Sequence, residues 1–365
     1  MIIRNIFRKI NSAILNFFFA VEERKISEVQ FQQVEKILVI RQHNQFGDML
    51  ASVSLFRALK EKFPYSKLTL LASPENYFAV QKNKFVDELF VFDKKKLFSK
   101  NYFISLKKVL RQNFDIAIVP VTVAISNTSC ILSALSDAKQ KIGPASLNGK
   151  ENLLKKLFHY RINLDWRKHQ DAHVSDFILD VVRPFGIKTK DFSSSINYDE
   201  KDLSFAKEFI NSFRTKNSNM IFGFHVGAAK PQNRWSLYKY TDLILELQKD
   251  FNFDFYFTGS NADIEQINFM KNKFPNAGYF LNNSIPQLAA LISISDLFIT
   301  NDTGVMHVAG TTETKQISIF GPTNPFNWAP IGKNKYFIRK SDLIDEVEVD
   351  DVIQLVKYLF SKNEK

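Results

Sequence analysis

Two hydrophobic patterns alternate along most of the chain. Short apolar runs typical of buried strands are followed by segments in which apolar residues recur every three or four positions, as on one face of a helix. The first pair is a strand at residues 37–40 and a helix at residues 49–63, which Pro64 ends. Further strands are predicted at residues 68–72, 88–92, 115–120, 220–225, 253–258, 277–280, 297–300 and 316–320, with helices between them. This alternation predicts parallel sheets flanked by helices.

The length of the chain indicates how many domains it forms. With 365 residues, of which 45% are hydrophobic, the chain is too long for one typical domain and can bury two cores. We expect an α/β fold of two Rossmann-like domains, at residues 36–195 and 196–365, after an amphipathic helical extension at residues 1–35. The carboxyl ends of the strands in both domains should face one central cleft, where ligands of such sheets bind.

The first twenty residues have the pattern of an amphipathic helix. The apolar stripe is Ile3, Ile6, Phe7, Ile10, Ile14 and Phe17, and the opposite face carries Arg4, Arg8, Lys9, Asn11, Ser12 and Asn16. The apolar stretch is too short to cross a bilayer, because Glu22 and Glu23 follow it closely. Three interpretations stay open: a helix on an anionic membrane surface, a helix packed on the protein itself, or a signal peptide.

Charge and cysteine content narrow the classes of partner. The net charge of +11 is spread along the chain, with one local run at Lys94, Lys95 and Lys96 that is typical of a solvated loop. A basic protein attracts nucleic acid, anionic lipid or phosphorylated substrates. The aromatic and arginine pattern of single-strand binders is not evident, so we expect no nucleic acid partner. A single cysteine, Cys130, excludes a disulfide framework and indicates a reducing compartment.

Residues 297–310 combine an apolar strand, a polar turn and the start of a helix. Asn301, Asp302, Thr303 and Gly304 form the turn, and His307 follows one helical turn later. The first backbone N–H groups of a helix have no partner within it and carry a partial positive charge, so they suit an anion. We therefore predict that this turn binds a phosphate group. In the alternative interpretation, Asp302 or Thr303 only caps the helix.

Two more turns in the second half follow predicted strands and contain small residues. Gly227 and Ala228 would let a ligand approach the backbone, and Arg234 supplies positive charge nearby. Gly259 and Ser260 form a similar small-residue turn after the next strand. Together with the turn at residues 301–304, these segments predict a site for a phosphorylated donor in the second half.

The first half has a polar loop between its first strand and first helix. It contains Arg41, Asn44 and Gly47, which we assign to the acceptor side, and it ends at Asp48 near the start of the helix. A carboxylate at that position is ionised at neutral pH, is expected to face the cleft, and could accept a proton from a substrate hydroxyl. The alternative is that Asp48 only caps the helix.

Three motifs taken together resemble glycosyltransferase family 9, whose best-known members are the ADP-heptose:lipopolysaccharide heptosyltransferases. They are Ile-Arg-x-x-x-x-Phe-Gly-Asp at residues 40–48, His-x-Gly-Ala with a later Arg-Trp at residues 225–235, and Asn-Asp-Thr-Gly-x-Met-His with Phe-Gly-Pro-Thr-x-Pro at residues 301–325. The resemblance covers roughly residues 36–335. It implies a GT-B fold and inverting transfer from a nucleotide-sugar without a bound metal.

The resemblance also assigns roles to residues. It implies that Asp48 is the general base and that Arg234 is the basic residue of the second motif. The donor-phosphate contacts then fall on Asp302, Thr303, Gly304 and His307, and a ribose or sugar contact falls on Asn261 or Asp263. The domain at residues 36–195 becomes the acceptor side, and the domain at residues 196–365 binds the nucleotide-sugar.

We therefore expect an inverting glycosyltransferase that moves a heptose or related sugar from a donor such as ADP-heptose to a cell-envelope glycan or lipopolysaccharide acceptor. No Asp-x-Asp pair occurs in the sequence, so the protein itself must meet the diphosphate charge, and we expect no metal and no cofactor. We expect a peripheral protein on the cytoplasmic face of the membrane, held by residues 1–20. The alternatives are a GT-B nucleotide-sugar epimerase that acts on the donor alone, and a basic binding module without activity.

Overall fold

A computed structural model describes residues 2–28, 31, 33–42 and 46–361, with the backbone alone for residues 2–9 and 28. The chain divides into two compact units, Met1–Phe192 and Ser193–Lys365. Each unit is built around one sheet of mainly parallel strands.

The first unit contains the helices α1 (Ile2–Phe19), α2 (Phe46–Ala51), α3 (Val53–Lys62), α4 (Lys100–Leu110), α5 (Asn127–Leu135) and α6 (Val174–Phe177). Its strands are β1 (Lys36–Ile40), β2 (Lys67–Ala72), β3 (Glu88–Val91), β4 (Ile116–Ile118), β5 (Gln140–Leu147), β6 (Lys150–Glu151) and β7 (Tyr160–Leu164). The sheet order is β3-β2-β1-β4-β5-β6, and β7 pairs with β5. All pairs are parallel except β5 with β6. The chain therefore changes direction across the sheet between β1 and β4, where ligands of such sheets bind.

The second unit contains the helices α7 (Glu200–Phe213), α8 (Leu237–Asp250), α9 (Ile264–Lys273), α10 (Ile285–Ser293), α11 (Gly304–Ala309), α12 (Pro325–Trp328) and α13 (Val349–Ser361). Its strands are β8 (Met220–His225), β9 (Phe253–Gly259), β10 (Gly278–Leu281), β11 (Leu297–Asn301), β12 (Lys315–Ile319) and β13 (Lys335–Ile338). The sheet is parallel throughout, in the order β10-β9-β8-β11-β12-β13. The ends of β8 and β11 are therefore neighbours, and both carry predicted donor residues.

The predicted strands are all present, with ends that differ by a few residues. The prediction of one helix at residues 49–63 is wrong, because two helices, α2 and α3, meet at Ser52 and the first begins at Phe46. The Ser52 hydroxyl donates to the Asp48 carbonyl at 2.8 Å, a back-bond that bends helices. It also accepts a hydrogen bond from Arg41 Nε at 3.3 Å.

Four strands were missed from the sequence: β5, β6, β7 and β13. The strand β5 contains Gly143 and Pro144, which are rare inside strands. A Cβ atom at Gly143 would lie 2.4 Å from the ring of Phe158, so the glycine is required for that ring to pack on the sheet. This long-range contact is not visible in the local pattern.

Among the side chains of α1 that the structure describes, Ser12, Leu15 and Asn16 pack on the first unit. Leu15 packs against the core formed by α4, α5 and the sheet, and the Asn16 amide donates to the Leu153 carbonyl at 2.9 Å. On the outer face Ile10 and Ile14 are exposed, and Phe17 is 83% exposed. On the predicted polar face, Ser12 and Asn16 contact the protein and Asn11 is exposed, whereas the described part of the apolar stripe faces outward. The side chains of Ile3, Ile6, Phe7, Arg4, Arg8 and Lys9 lie outside the described residues.

No helix in the described ranges has the length and apolar character that crossing a bilayer requires.

Candidate active site

A buried carboxylate lies in the first unit, at the point where the chain reverses across the sheet. Asp48 is in the first turn of α2 and is 1% exposed. Its Oδ1 accepts hydrogen bonds from Arg41 Nη2 at 2.9 Å and from the Thr122 hydroxyl. Its Oδ2 is buried and has no hydrogen-bond partner in the described part of the chain. One oxygen is thus fixed in place, while the hydrogen-bonding capacity of the other is unused by the described residues.

The position of Asp48 corrects two expectations. The carboxylate was expected to face a cleft openly, yet it is buried with a counter-charge beside it. That charge comes from Arg41, whose guanidinium is also buried, rather than from the helix end alone. Burial lowers the pKa of Arg41, and the adjacent Asp48 carboxylate opposes this shift. The guanidinium of Arg41 contacts Asp48, Thr122 and Ser52, and its place on the acceptor side stays a prediction.

Thr122 is a site residue that sequence reasoning missed. It follows β4, is fully buried, and accepts a hydrogen bond from Arg41 Nη2 at 2.7 Å while donating to Asp48. The Trp166 indole N–H fixes its backbone carbonyl at 2.6 Å. The available signal was a polar residue shortly after the predicted strand at residues 115–120; that this strand pairs with β1 is known only from the structure. Gly47 lies beside Asp48 in α2 and is half-buried.

The predicted acceptor residue Asn44 lies outside the described residues.

In the second unit, Asn301 joins the ends of β8 and β11. Its amide nitrogen donates to the carbonyls of Val226 and Gly227, at 3.1 and 3.2 Å. Its amide oxygen accepts from the Trp235 backbone N–H at 3.2 Å and from the Tyr240 hydroxyl at 3.0 Å. All these hydrogen bonds are buried, so Asn301 fixes the loop after β8 to the turn that follows β11. Sequence reasoning placed Asn301 in the turn but did not predict this role.

Asp302 is oriented by a neighbouring amide. Its carboxylate accepts a hydrogen bond from Asn233 Nδ2 at 2.8 Å. Burial raises the pKa of Asp302, whereas the hydrogen bond from Thr323 and the charge of Lys230 lower it. An ionised carboxylate only accepts hydrogen bonds. Asp302 is therefore better suited to bind a ligand hydroxyl, which can donate, than the phosphate group that was expected from the sequence.

The turn after β11 leads into a short helix. Thr303 is the N-cap residue of α11, but its side chain makes no capping hydrogen bond. Gly304 begins the helix, which is only six residues long. An anion bound at this turn would therefore interact with backbone N–H groups rather than with the dipole of a long helix. His307 lies in the last turn of α11, and its ring is 6.3 Å from that of Trp328.

Arg234 is held by the loop that follows β8. Its Nε donates to the Ala228 carbonyl at 2.7 Å. The next residue, Trp235, is 1% exposed and its indole N–H donates to the Val347 carbonyl at 2.8 Å. Trp235 thus anchors the loop in the core, as expected, while the Arg234 side chain stays half-buried.

The two predicted ligand glycines have a packing role. A Cβ atom at Gly227 would lie 2.1 Å from Asp263 Oδ1, and one at Gly259 would lie 2.9 Å from Ile267. Internal packing therefore requires glycine at both positions, and the approach of a ligand to their backbone stays a prediction. Ser260 caps the next turn, since its hydroxyl accepts from the Ala262 backbone N–H at 3.2 Å, and its own backbone N–H donates to Asp263 Oδ2 at 2.9 Å.

The two candidates for the ribose or sugar contact differ in exposure. Asp263 is buried, and its carboxylate accepts hydrogen bonds from the backbone and hydroxyl of Ser260. Asn261 is exposed at the start of the same turn. Of the two, only Asn261 has a side chain open to a ligand.

Within the residues that the structure describes, no group of three or more His, Cys, Asp or Glu side chains is placed to hold a metal ion.

Comparisons with known proteins agree with the fold and family expected from the sequence. The family model "Glycosyltransferase family 9 (heptosyltransferase)" matches residues 103–355. Lipopolysaccharide heptosyltransferase 3 of Escherichia coli K12 is 24% identical over 79% of this chain and 83% of its own length.

Two solved structures share the fold. A family 9 glycosyl transferase of Veillonella parvula superposes with a TM-score of 0.76 at 20% identity, over 92% of this chain and 100% of the other. The E. coli ADP-heptose lps heptosyltransferase II gives a TM-score of 0.71 at 20% identity, over 90% of this chain and 100% of the other. The GT-B fold expected from the sequence is therefore confirmed.

Proposed function

This chain belongs to glycosyltransferase family 9, and we propose that it moves a heptose from ADP-heptose to a lipopolysaccharide or related cell-envelope acceptor. The observation that carries the proposal is the buried Asp48 carboxylate, with one oxygen fixed by Arg41 and the other without a partner in the described residues. The names of the relatives support heptose, ADP and lipopolysaccharide as the chemistry. The epimerase alternative is weaker, because the matching family and relatives are transferases.

The second unit would bind the donor. Arg234 and the N–H groups at Thr303 and Gly304 are suited to the diphosphate, and His307 lies on the same short helix. Asp302, held by Asn233, would accept hydrogen bonds from a sugar or ribose hydroxyl. Gly227, Ala228, Gly259 and Ser260 would shape the site through the backbone of their two loops.

The first unit would activate the acceptor. As the acceptor oxygen bonds to the anomeric carbon, the bond from that carbon to the diphosphate oxygen breaks, and ADP leaves with the electron pair. The acceptor proton passes to Asp48 Oδ2. Attack from the face opposite ADP inverts the anomeric configuration. Arg41 and Thr122 act as positioning residues, because both hold Oδ1 and so direct Oδ2 toward the acceptor.

Transfer is expected to proceed without a divalent cation. Arg234 and backbone N–H groups would stabilise the developing charge on ADP, which is the role that a metal has in many transferases. The test is a transfer assay with ADP-heptose and a purified lipopolysaccharide core acceptor in EDTA, with the product mass as the readout. We expect the acceptor to gain one heptose at a rate unchanged by EDTA.

Controls in the same assay distinguish the alternatives. Donor incubated without acceptor should remain unchanged, whereas an epimerase would convert it. A requirement for added magnesium or manganese would contradict the proposed charge neutralisation.

We further propose that the enzyme works as a peripheral protein at the inner face of the cell membrane. The support is the outward stripe of α1, where Ile10, Ile14 and Phe17 are exposed while Leu15 and Asn16 hold the helix to the protein. An apolar helix face with basic neighbours inserts into the boundary between headgroups and acyl chains.

The variant Ile10→Ser/Ile14→Ser/Phe17→Ser should lower binding to phosphatidylglycerol vesicles about tenfold or more, because it removes apolar area that the bilayer would bury. Donor affinity should not change, because these side chains are exposed on α1. Vesicle sedimentation and calorimetry measure the two effects. The matched control is Tyr65→Ser, which removes a fully exposed aromatic ring from the loop after α3. Equal vesicle binding by all three proteins would contradict the role of α1.

A further inference from the structure

A second exposed surface in the first unit combines aromatic and basic side chains. It consists of the exposed side chains of residues 94–108, on α4 and the turn that leads into it, and is called the α4 surface below. Phe98 is fully exposed, and Phe103 and Ile104 are more than half exposed. Large apolar side chains grouped in this way on a protein surface indicate a contact site.

The same segment carries only positive charge. Residues 94–111 contain seven Lys and Arg residues and no Asp or Glu, and all seven are exposed. None of these seven takes part in an ion pair among the described residues. The two acidic residues that precede the segment in sequence are already engaged, since Asp93 accepts from the Lys95 backbone N–H at 2.9 Å and Glu88 pairs with Lys67 at 2.9 Å. The positive charge is therefore available to a partner.

On α4 the charged and apolar side chains share one face. Residues three and four apart are neighbours on a helix, so Lys100, Phe103, Ile104, Lys107 and Lys108 form one continuous surface. The opposite face of α4 is buried through Leu106, Val109 and Leu110. Lysine stems can lie along an apolar surface while their ammonium groups reach phosphates beside it. This arrangement fits a layer of anionic headgroups above acyl chains.

The α4 surface and the stripe of α1 belong to the same side of the first sheet. Leu106 and Val109 of α4 and Leu15 of α1 pack against one core cluster. Helices that cover the same face of a sheet form one layer, and their outer surfaces point away from that sheet together. Both outer surfaces therefore lie on one side of the first unit.

We propose that the α4 surface is a second lipid-binding surface, which contacts an anionic bilayer together with α1. The inference rests on the proposed function, because a lipid-borne acceptor requires an enzyme that works at a bilayer. Phe98 and Phe103 insert between headgroups, and Lys96, Lys100 and Lys107 bind their phosphates. Two contacts fix the orientation of the first unit on the membrane, which a single helix does not.

Two variants of the full chain test the proposal by sedimentation with vesicles of phosphatidylglycerol and phosphatidylcholine. Lys96→Glu/Lys100→Glu/Lys107→Glu should weaken binding to the anionic vesicles more than about tenfold, since each lysine near such a surface strengthens binding about fivefold. Phe98→Ser/Phe103→Ser should weaken it about tenfold with the charges intact. The controls are Lys201→Glu/Lys207→Glu/Lys216→Glu, three exposed lysines of the second unit, and Tyr65→Ser.

Each other result overturns the proposal. Equal losses in the variants and their controls would indicate nonspecific attraction by net charge. Loss with the lysine variant but not the phenylalanine variant would indicate a surface for an acidic soluble partner. A concentration-dependent dimer on gel filtration, abolished by Phe98→Ser/Phe103→Ser, would assign the surface to a second copy of the chain. The rate of transfer to a water-soluble, delipidated acceptor should stay unchanged in both variants. If the parent protein shows no such transfer, the result would count against the proposed function rather than against the α4 surface.

Discussion

Asp48→Asn should reduce the rate of heptose transfer by about a hundredfold to ten-thousandfold, the usual cost of losing a general base. Asparagine keeps the size of the side chain and can still accept from Arg41 and Thr122, but it cannot take up the acceptor proton. The initial rate at saturating donor and acceptor measures the effect. A variant that keeps most of its turnover would show that another group removes the proton.

The same substitution also leaves Arg41 without its counter-charge. An unpaired buried charge destabilises a protein by about 3–5 kcal/mol, so thermal unfolding must be followed alongside the rate. Thr122→Val serves as a second variant, because it keeps both charges and removes only the hydroxyl that holds Oδ1. We expect it to fold and to lose about tenfold in rate. The matched control is Asp115→Asn, an aspartate at the other end of the same sheet that pairs with Lys139.

Arg234→Leu should weaken binding of ADP-heptose about ten- to hundredfold, since hydrogen bonds to a charged group contribute about 1.5–3 kcal/mol. Leucine preserves the apolar part of the side chain and removes the guanidinium that the Ala228 carbonyl holds in place. Calorimetry with ADP-heptose in EDTA gives the affinity directly. Arg214→Leu is the control, because it removes an exposed arginine from the same unit. Equal affinity in Arg234→Leu and the parent would remove Arg234 from the donor site.

The apolar runs were sufficient to predict most of the strands. The strand at residues 220–225 was predicted with the bounds that the structure has, because an uninterrupted apolar run in a parallel sheet is buried on both faces. The strand β5 was missed because Gly143 and Pro144 contradict the local pattern, and the reason for the glycine, the ring of Phe158, lies fifteen residues further on.

The contacts within the candidate site were also only partly predictable from the sequence. Asp48 and Arg41 come from one loop, so sequence reasoning found both, but it could not show that they form a buried ion pair. Thr122 is 74 residues from Asp48 in sequence and reaches it only because β4 pairs with β1. Asn301 likewise acts through carbonyl groups at the end of β8. Pairing between distant strands determines these contacts, and no local pattern encodes it.

In the proposed reaction, Asp48 activates the acceptor while the second unit holds the donor. The most direct test is to measure the calorimetric affinity of Asp48→Asn for ADP-heptose on the preparation used for the rate. We predict an affinity within about threefold of the parent protein alongside a rate at least about a hundredfold lower. Loss of donor affinity in parallel with the rate, in a variant that remains folded, would contradict the claim.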